Sequence, residues 1–117
     1  MNQLKYIRPE KLAEMVGDEN VLEILQSYRD SLQISLKELE LSCQKKQADE
    51  VRLLAHKMKS STRFIGADEL ADMFLLLEQQ TVSGCGVDCD IQNLLQGIMG
   101  QVGLVINEIN NYIEYSA

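Results

Sequence analysis

Proline and aromatic residues are scarce in this chain, and their scarcity excludes several architectures. The sequence has one proline, no tryptophan and 5% aromatic residues, whereas β-sandwiches are richer in aromatic and β-branched residues. Its apolar runs stay short of the roughly 18 residues that a membrane span needs, and its first residues lack the apolar stretch of a signal peptide. We therefore expect a helical, cytoplasmic protein without a membrane partner. Its 117 residues suit a single domain spanning 1–117.

The motifs of nucleotide-dependent and hydrolytic enzymes are also missing. The sequence has neither a Gly-x-x-x-x-Gly-Lys-Ser/Thr loop nor the glycine-rich loop of protein kinases, both of which cradle phosphates. It also lacks the Gly-x-Ser-x-Gly turn that exposes a nucleophilic serine. We therefore predict that the chain is not an enzyme acting alone.

Cysteines are few and odd in number. Cys43, Cys85 and Cys89 occur in a chain without a secretory signal, which indicates free thiols. Zinc bound by Cys85 and Cys89 is the alternative, but the further ligands that zinc requires are not nearby in the sequence. We therefore predict neither a metal site nor a cofactor.

Charge is distributed unevenly along the chain. The net charge of −7 argues against nucleic acid as the main partner, because phosphate backbones attract basic surfaces. Between Lys45 and Arg63, however, six basic residues stand against two acidic ones (net +4), whereas the remainder has five basic and sixteen acidic residues (net −11). The only histidine, His56, lies inside this basic segment. This arrangement indicates that an anionic group binds at His56.

Apolar residues recur every three or four positions over most of the chain, which is the period of an amphipathic helix. A short helix is predicted from Pro9 to Val16, closed by Gly17. Four longer helices are predicted at 18–44 with Asp18 as the N-cap, at 47–64 with Gly66 as the C-cap, at 68–81, and at 88–115 after a loop at 83–86. Long helices with short connections favour an all-α fold, an antiparallel four-helix bundle with a short additional N-terminal helix.

The last helix contains three glycines at a spacing of three residues, Gly97, Gly100 and Gly103. Each costs a helix about 1 kcal/mol relative to alanine. This spacing suggests a face that another helix approaches closely, in the same bundle or in a second copy. The alternative is a locally weak helix.

In helical projection, His56 lies on the polar face of its predicted helix. Arg52, Ser60 and Arg63 fall within about 40° of it, and Lys59 falls about 60° away. The opposite pole is apolar and is the predicted core face, formed by Val51, Leu54, Met58 and Ile65. His56 is therefore expected to face solvent.

Leu53 and Phe64 lie about 60° to 80° from His56 around the same helix. They form either an apolar shoulder for a partner or a contact with a neighbouring helix. The sequence alone leaves both interpretations open.

A phosphoryl group is the anion that the residues around His56 suit best. An imidazole is neutral and nucleophilic over much of the physiological pH range. Lys59 at i+3 and Arg63 at i+7 are placed to stabilise an added dianion, and the small Ser60 at i+4 leaves room beside the ring. A solvated polar face without function is the alternative. Because the chain lacks a nucleotide site, the phosphoryl group would have to come from another protein.

The segment Ala55–Ala67 resembles the core of histidine-containing phosphotransfer (HPt) domains of bacterial two-component phosphorelays. That core has a histidine, an aliphatic residue or methionine two positions later, a lysine, small residues, and an aliphatic-glycine pair nine and ten positions after the histidine. The matching residues are Met58, Lys59, Ser60, Ser61, Ile65 and Gly66. The resemblance continues through Leu77 and Glu78, and it includes the upstream stretch that begins at Gly17.

This resemblance implies a four-helix bundle whose histidine exchanges a phosphoryl group reversibly with the aspartate of a response-regulator receiver domain, including that of a hybrid sensor kinase. The receiver supplies Mg²⁺ and an acidic pocket. It implies that His56 is the acceptor, that Lys59 stabilises the phosphoryl group, and that Ser60 is the small neighbour. Many family members have glycine there, so Ser60 crowds the approach slightly. Glu78 matches a polar position near the histidine, where a carboxylate either hydrogen-bonds the ring or repels the phosphoryl group.

Three functional hypotheses follow from these observations. The first is a phosphorelay intermediate that accepts the group on His56 and docks receivers through Arg52, Leu53, Arg63, Phe64 and Glu78. The second is a helical module that binds receivers without transfer. The third is a bundle that dimerises through its glycine-lined last helix. We expect the first, with the chain acting as a monomer.

Overall fold

The computed structural model describes residues 4–82 and 89–116, which form five α-helices. They are α1 (Pro9–Val16), α2 (Val21–Gln44), α3 (Ala48–Phe64), α4 (Asp68–Val82) and α5 (Cys89–Ser116). Helices α2 and α4 each pack against both α3 and α5, so the four long helices close into a bundle, and α1 packs against α2. The predicted all-α bundle with a short N-terminal helix is therefore confirmed. Among the described helices, none is both long and apolar enough to cross a membrane.

The predicted apolar stripes meet in one core between the four long helices. Its fully buried members come from all of them and include Leu25, Leu39, Val51, Phe74 and Ile98. Burying such side chains contributes roughly 1.5–3 kcal/mol each. The buried core thus holds α3 in place with its polar face outward.

The entry to α2 differs from the prediction. Asp18 was expected to cap a helix that begins beside it, but Asp18–Asn20 form a 3₁₀ turn and α2 begins at Val21. The Asn20 side-chain amide donates to the carbonyl of Val16 at 2.6 Å, so it satisfies the end of α1 rather than the start of α2. The predicted Asp18 cap is wrong because the chain turns once more before the helix.

The end of α3 is held by Gly66. The Gly66 N–H donates to the Arg63 carbonyl at 3.0 Å and the Ala67 N–H to the Thr62 carbonyl at 3.2 Å, the pair of bonds that closes a helix around a left-handed residue. Gly66 has φ +80°, and a Cβ there would lie 2.6 Å from the Cβ of Arg8. The Arg8 N–H donates to the Ile65 carbonyl at 3.3 Å. Gly66 is therefore required both by the turn and by the N-terminal segment that crosses it.

The glycines of α5 do not make the close helix contact that their spacing suggested. A Cβ at Gly97 would meet the Met73 methyl at 3.4 Å, and Cβ atoms at Gly100 and Gly103 would meet no described atom within 4 Å. Within the bundle, the predicted close approach is wrong.

The segment before α1 is anchored to α5 by a single carboxylate. Glu108 accepts hydrogen bonds from the backbone N–H groups of Lys5, Tyr6 and Ile7 at 3.0, 2.8 and 3.0 Å. Ile7 is buried beside this contact. The N-terminal segment is therefore joined to both α3 and α5.

Candidate functional site

His56 lies in the middle of α3, where the helix turns its polar face outward. Its side chain is 62% exposed, while Val51, Leu54 and Met58 on the opposite face are buried. The helical projection is thus confirmed. Core packing on one side fixes the helix, and the imidazole stands on the other.

Glu78 connects α4 to two residues of the His56 face. Its Oε2 lies 2.6 Å from Nδ1 of His56, and its Oε1 accepts a hydrogen bond from Nζ of Lys59 at 2.8 Å. The Glu78 and Lys59 side chains are 18% and 21% exposed. Leu77, the preceding residue of α4, is fully buried and anchors this part of the helix. Of the two alternatives for Glu78, the structure shows the hydrogen bond to the ring.

The protonation of Glu78 decides which ring nitrogen is free. The hydrogen bond from Lys59 holds the pKa of the Glu78 carboxyl below its usual range, and His56 acts in the same direction, while burial opposes both. An ionised carboxylate only accepts hydrogen bonds, so Nδ1 has to carry the proton that it shares with Glu78. In the neutral imidazole, the lone pair is then on Nε2.

The two other predicted cations of this face have different surroundings. Arg63 donates to Asp72 of α4 at 3.0 Å, and its α-carbon lies about 10 Å along the helix from that of His56. Arg52 has a looser partner, Asp49, at 3.8 Å. Arg63 is therefore tied to α4 and lies farther from the imidazole than its projected angle implies.

The apolar residues beside His56 are exposed. Leu53 is 56% and Phe64 40% exposed, so they form the apolar shoulder rather than a contact inside the bundle. Ser60 is also exposed, one turn after His56 and one turn before Phe64. A groove of about 450 Å³ adjoins Phe64 and is lined across α2 by Ile34, which is 62% exposed. Sequence reasoning missed Ile34, although its position outside the buried stripe of α2 was a usable signal.

The described residues do not support a metal site at the cysteines. Cys43 is a buried free thiol whose pKa is raised by burial and, to a smaller extent, by Glu40. Cys85, the side chain of Cys89 and the predicted loop at 83–86 lie outside the described part of the chain. Within residues 4–82 and 89–116, no three His, Cys, Asp or Glu residues are grouped so that they could hold a metal ion.

Comparisons with known proteins agree with this architecture. The fold is similar to that of histidine-containing phosphotransfer protein B (HptB) from Pseudomonas aeruginosa PAO1, with a TM-score of 0.86 over 97% of this chain and 98% of that chain, at 18% sequence identity. At this identity the likeness concerns the fold. No curated protein sequence matches the chain.

The sequence itself matches a family. The model of the Hpt domain aligns with residues 23–109, which is well over half of the 117 residues. The aligned region contains α3 and α4, and with them His56, Lys59 and Glu78. The chain therefore belongs to the Hpt domain family, whose members are intermediates that carry phosphoryl groups in two-component relays.

Proposed function

We propose that His56 is the residue on which this phosphotransfer domain carries the phosphoryl group. It accepts the group from the aspartyl phosphate of one receiver domain and passes it to the aspartate of another. The observation that carries the proposal is the hydrogen bond between Nδ1 and Glu78, because it leaves the lone pair on Nε2 of a side chain that is mostly exposed.

In the transfer step, Nε2 attacks the phosphorus of the aspartyl phosphate. The N–P bond forms as the bond between phosphorus and the carboxyl oxygen breaks, and the aspartate leaves as a carboxylate. The imidazole becomes positively charged and keeps its proton on Nδ1. Glu78, 2.6 Å away, stabilises that charge, as a positioned carboxylate does for a catalytic histidine. The reverse sequence returns the group to a receiver.

Lys59 has two roles in this proposal. Its hydrogen bond to Glu78 lowers the pKa of the carboxyl group, so Glu78 stays ionised. Because a carboxylate with a lowered pKa is a weaker base, it leaves the proton on Nδ1. Its remaining N–H groups are available to the phosphoryl oxygens on the C-terminal side of His56. Ser60, one turn along from His56, is small enough to leave a path for the receiver.

The receiver docks, in this proposal, on the exposed surface around His56. Leu53 and Phe64 supply apolar contacts, Arg52 and Arg63 supply positive charge toward an acidic pocket, and Ile34 extends the apolar surface across α2. Buried apolar contacts with a charged rim are typical of transient interfaces. Glu78, which the sequence placed among the partner contacts, is better described as a partner of the ring.

We also propose that the chain acts as one domain and as a monomer in the cytoplasm, without nucleic acid or membrane partners. It has no cofactor or kinase activity of its own. The Mg²⁺ that the transfer needs is held by the receiver, and one receiver belongs to a hybrid sensor kinase.

A phosphotransfer profile tests the proposal. Purified receivers of the source organism are phosphorylated with radiolabelled acetyl phosphate, which releases acetate as it transfers its phosphoryl group, and are then mixed with the wild-type chain or with His56→Gln. We expect at least one receiver to label the wild type within seconds to minutes, to give an acid-labile, alkali-stable adduct, and to leave His56→Gln unlabelled. Binding of receivers without label in either protein would instead identify a docking module, and a concentration-dependent mass in sedimentation would identify a dimer.

A further inference from the structure

We infer that Arg52 is a second ligand of the phosphoryl group, holding it from the side of His56 opposite to Lys59. This inference rests on the proposed role of His56. It assigns Arg52 a contact with the transferred group itself, in addition to any contact with a receiver.

The first support is the state of the other basic residues on this face. Lys59 is bound to Glu78 at 2.8 Å and Arg63 to Asp72 at 3.0 Å. Both carboxylates come from α4, so both cations are drawn toward that helix. A phosphoryl group carries two negative charges at neutral pH, and one partly engaged ammonium group does not balance them.

The second support is the direction of side chains on a helix. They lean toward the helix N-terminus, so a residue covers the turn that precedes it. The imidazole of His56 therefore extends over the turn that contains Arg52, four residues earlier and about 40° around the helix. An added group on the exposed Nε2 lies farther out in the same direction.

The third support is the loose engagement of Arg52. Its Nη2 lies 3.8 Å from Oδ1 of Asp49, whose side chain is 95% exposed, and the Arg52 side chain is 37% exposed. Such a solvated ion pair contributes little to stability. Asp49 lies within about 20° of His56 in projection, two turns before it, so Arg52 reaches the phosphoryl group by leaving this exposed carboxylate and extending one turn toward His56.

These groups define the charges around the added phosphoryl group. From α3 it faces Asp49, Arg52 and Lys59, and from α4 it faces Glu78. A guanidinium can donate two parallel hydrogen bonds to two phosphoryl oxygens. A dianion is therefore a stronger ligand for Arg52 than the single exposed carboxylate of Asp49 that it replaces.

The test phosphorylates the chain without any receiver, using phosphoramidate. The Nε2 lone pair attacks phosphorus, the N–P bond of phosphoramidate breaks, and ammonia leaves, so the Nδ1 proton stays on the ring. The pH titration of the phosphorus chemical shift then reports the protonation of the phosphoryl group. Wild type, Arg52→Ala, Arg52→Lys and Lys57→Ala are compared. Lys57→Ala removes the same charge about 100° around the helix from His56.

We expect Arg52→Ala to raise the titration midpoint by about half a pH unit or more, because loss of a nearby cation disfavours the dianion. Arg52→Lys should restore part of the difference, and Lys57→Ala should give less than a third of it. A midpoint for Arg52→Ala no higher than that of Lys57→Ala overturns the inference while leaving His56 as the acceptor. No phosphorus signal on Nε2 in the wild type overturns the acceptor assignment itself, and the inference with it.

Discussion

At the scale of single residues, Glu78 determines which nitrogen of the His56 ring is free. One oxygen accepts from Lys59 and the other from His56, so the carboxylate fixes the ring and selects its free nitrogen. The sequence predicted that a polar side chain lies near His56, but it left two opposite roles for the charge. The packing of α3 on α4 decides between them, and helical periodicity within one segment does not contain that information.

Replacing Glu78 by glutamine tests the role of its charge. The amide oxygen can still accept from Nδ1, but the positive charge that develops on the ring loses its counter-ion. We expect Glu78→Gln to slow phosphoryl transfer from a receiver about tenfold, which corresponds to about 1.4 kcal/mol in the barrier. The initial rate of labelling measures it. Asp72→Asn, which breaks an exposed ion pair of α4, is the matched control and should stay within about twofold of wild type.

The lowered pKa of Glu78 predicts the direction of a pH effect on stability. Its pKa in the folded chain lies below that in the unfolded chain, so the contribution of the ionised group is fully present above the unfolded pKa and is lost as pH falls through the folded value. The difference in free energy of unfolding between wild type and Glu78→Gln should therefore be larger at pH 7 than at pH 3. Urea denaturation at both values measures it, and a difference that grows toward low pH would contradict the assignment.

At the scale of helices, α2 and α3 end in the same kind of turn, but a different residue occupies the left-handed position in each. Lys46 follows α2 at φ +56°, with its N–H bonded to Cys43 and that of Gln47 bonded to Ser42. Gly66 follows α3 in the same arrangement. The sequence located Gly66 because glycine marks such turns, whereas a lysine carries no such signal. The prediction for Asp18 failed for the opposite reason. Aspartate is a typical N-cap residue, but here it lies in an additional 3₁₀ turn before α2 begins.

Opposite substitutions at these two turns should have opposite effects. Lys46→Gly removes the strain of a left-handed non-glycine residue and should raise the free energy of unfolding by about 1 kcal/mol. Gly66→Ala adds that strain and forces Arg8 away, so it should lower the free energy by about 2 kcal/mol or more. Denaturant titrations of both variants measure these values. A stabilising Gly66→Ala would show that the Arg8 segment does not lie against the turn.

At the scale of the whole molecule, periodicity predicted the bundle because apolar faces spaced for helices have to be buried together. The helices, their approximate bounds and the outward position of His56 followed from the sequence. Long-range polar contacts did not follow. Three such contacts are the pairing of Glu78 with α3, the ion pair of Arg63 with Asp72, and the hydrogen bonds of Glu108 to residues 5–7. All of them depend on which parts of the chain become neighbours. The prediction for the glycines of α5 failed for the same reason, because their spacing alone did not reveal which face of the helix meets another helix.

Glu108 provides a test of how the N-terminal segment is held to the bundle. In Glu108→Gln, an amide NH₂ replaces one of the two oxygens that accept from Lys5, Tyr6 and Ile7, so at least one backbone N–H loses its partner. We expect a loss of about 1–2 kcal/mol in the free energy of unfolding and faster hydrogen exchange of those three amides. Glu114→Gln, at an exposed position of the same helix, is the control. Unchanged exchange at residues 5–7 would contradict the contact.

Which nitrogen of His56 is free and reactive can be measured directly, because the chain contains a single histidine. A long-range ¹⁵N–¹H correlation spectrum of the imidazole, recorded at neutral pH before and after phosphorylation by a receiver, identifies the protonated nitrogen and the nitrogen bonded to phosphorus. We expect the neutral form of the ring to carry its proton on Nδ1, and phosphorus to couple to Nε2 after transfer with the proton still on Nδ1. A neutral ring protonated mainly at Nε2, or phosphorus bonded to Nδ1, would contradict it.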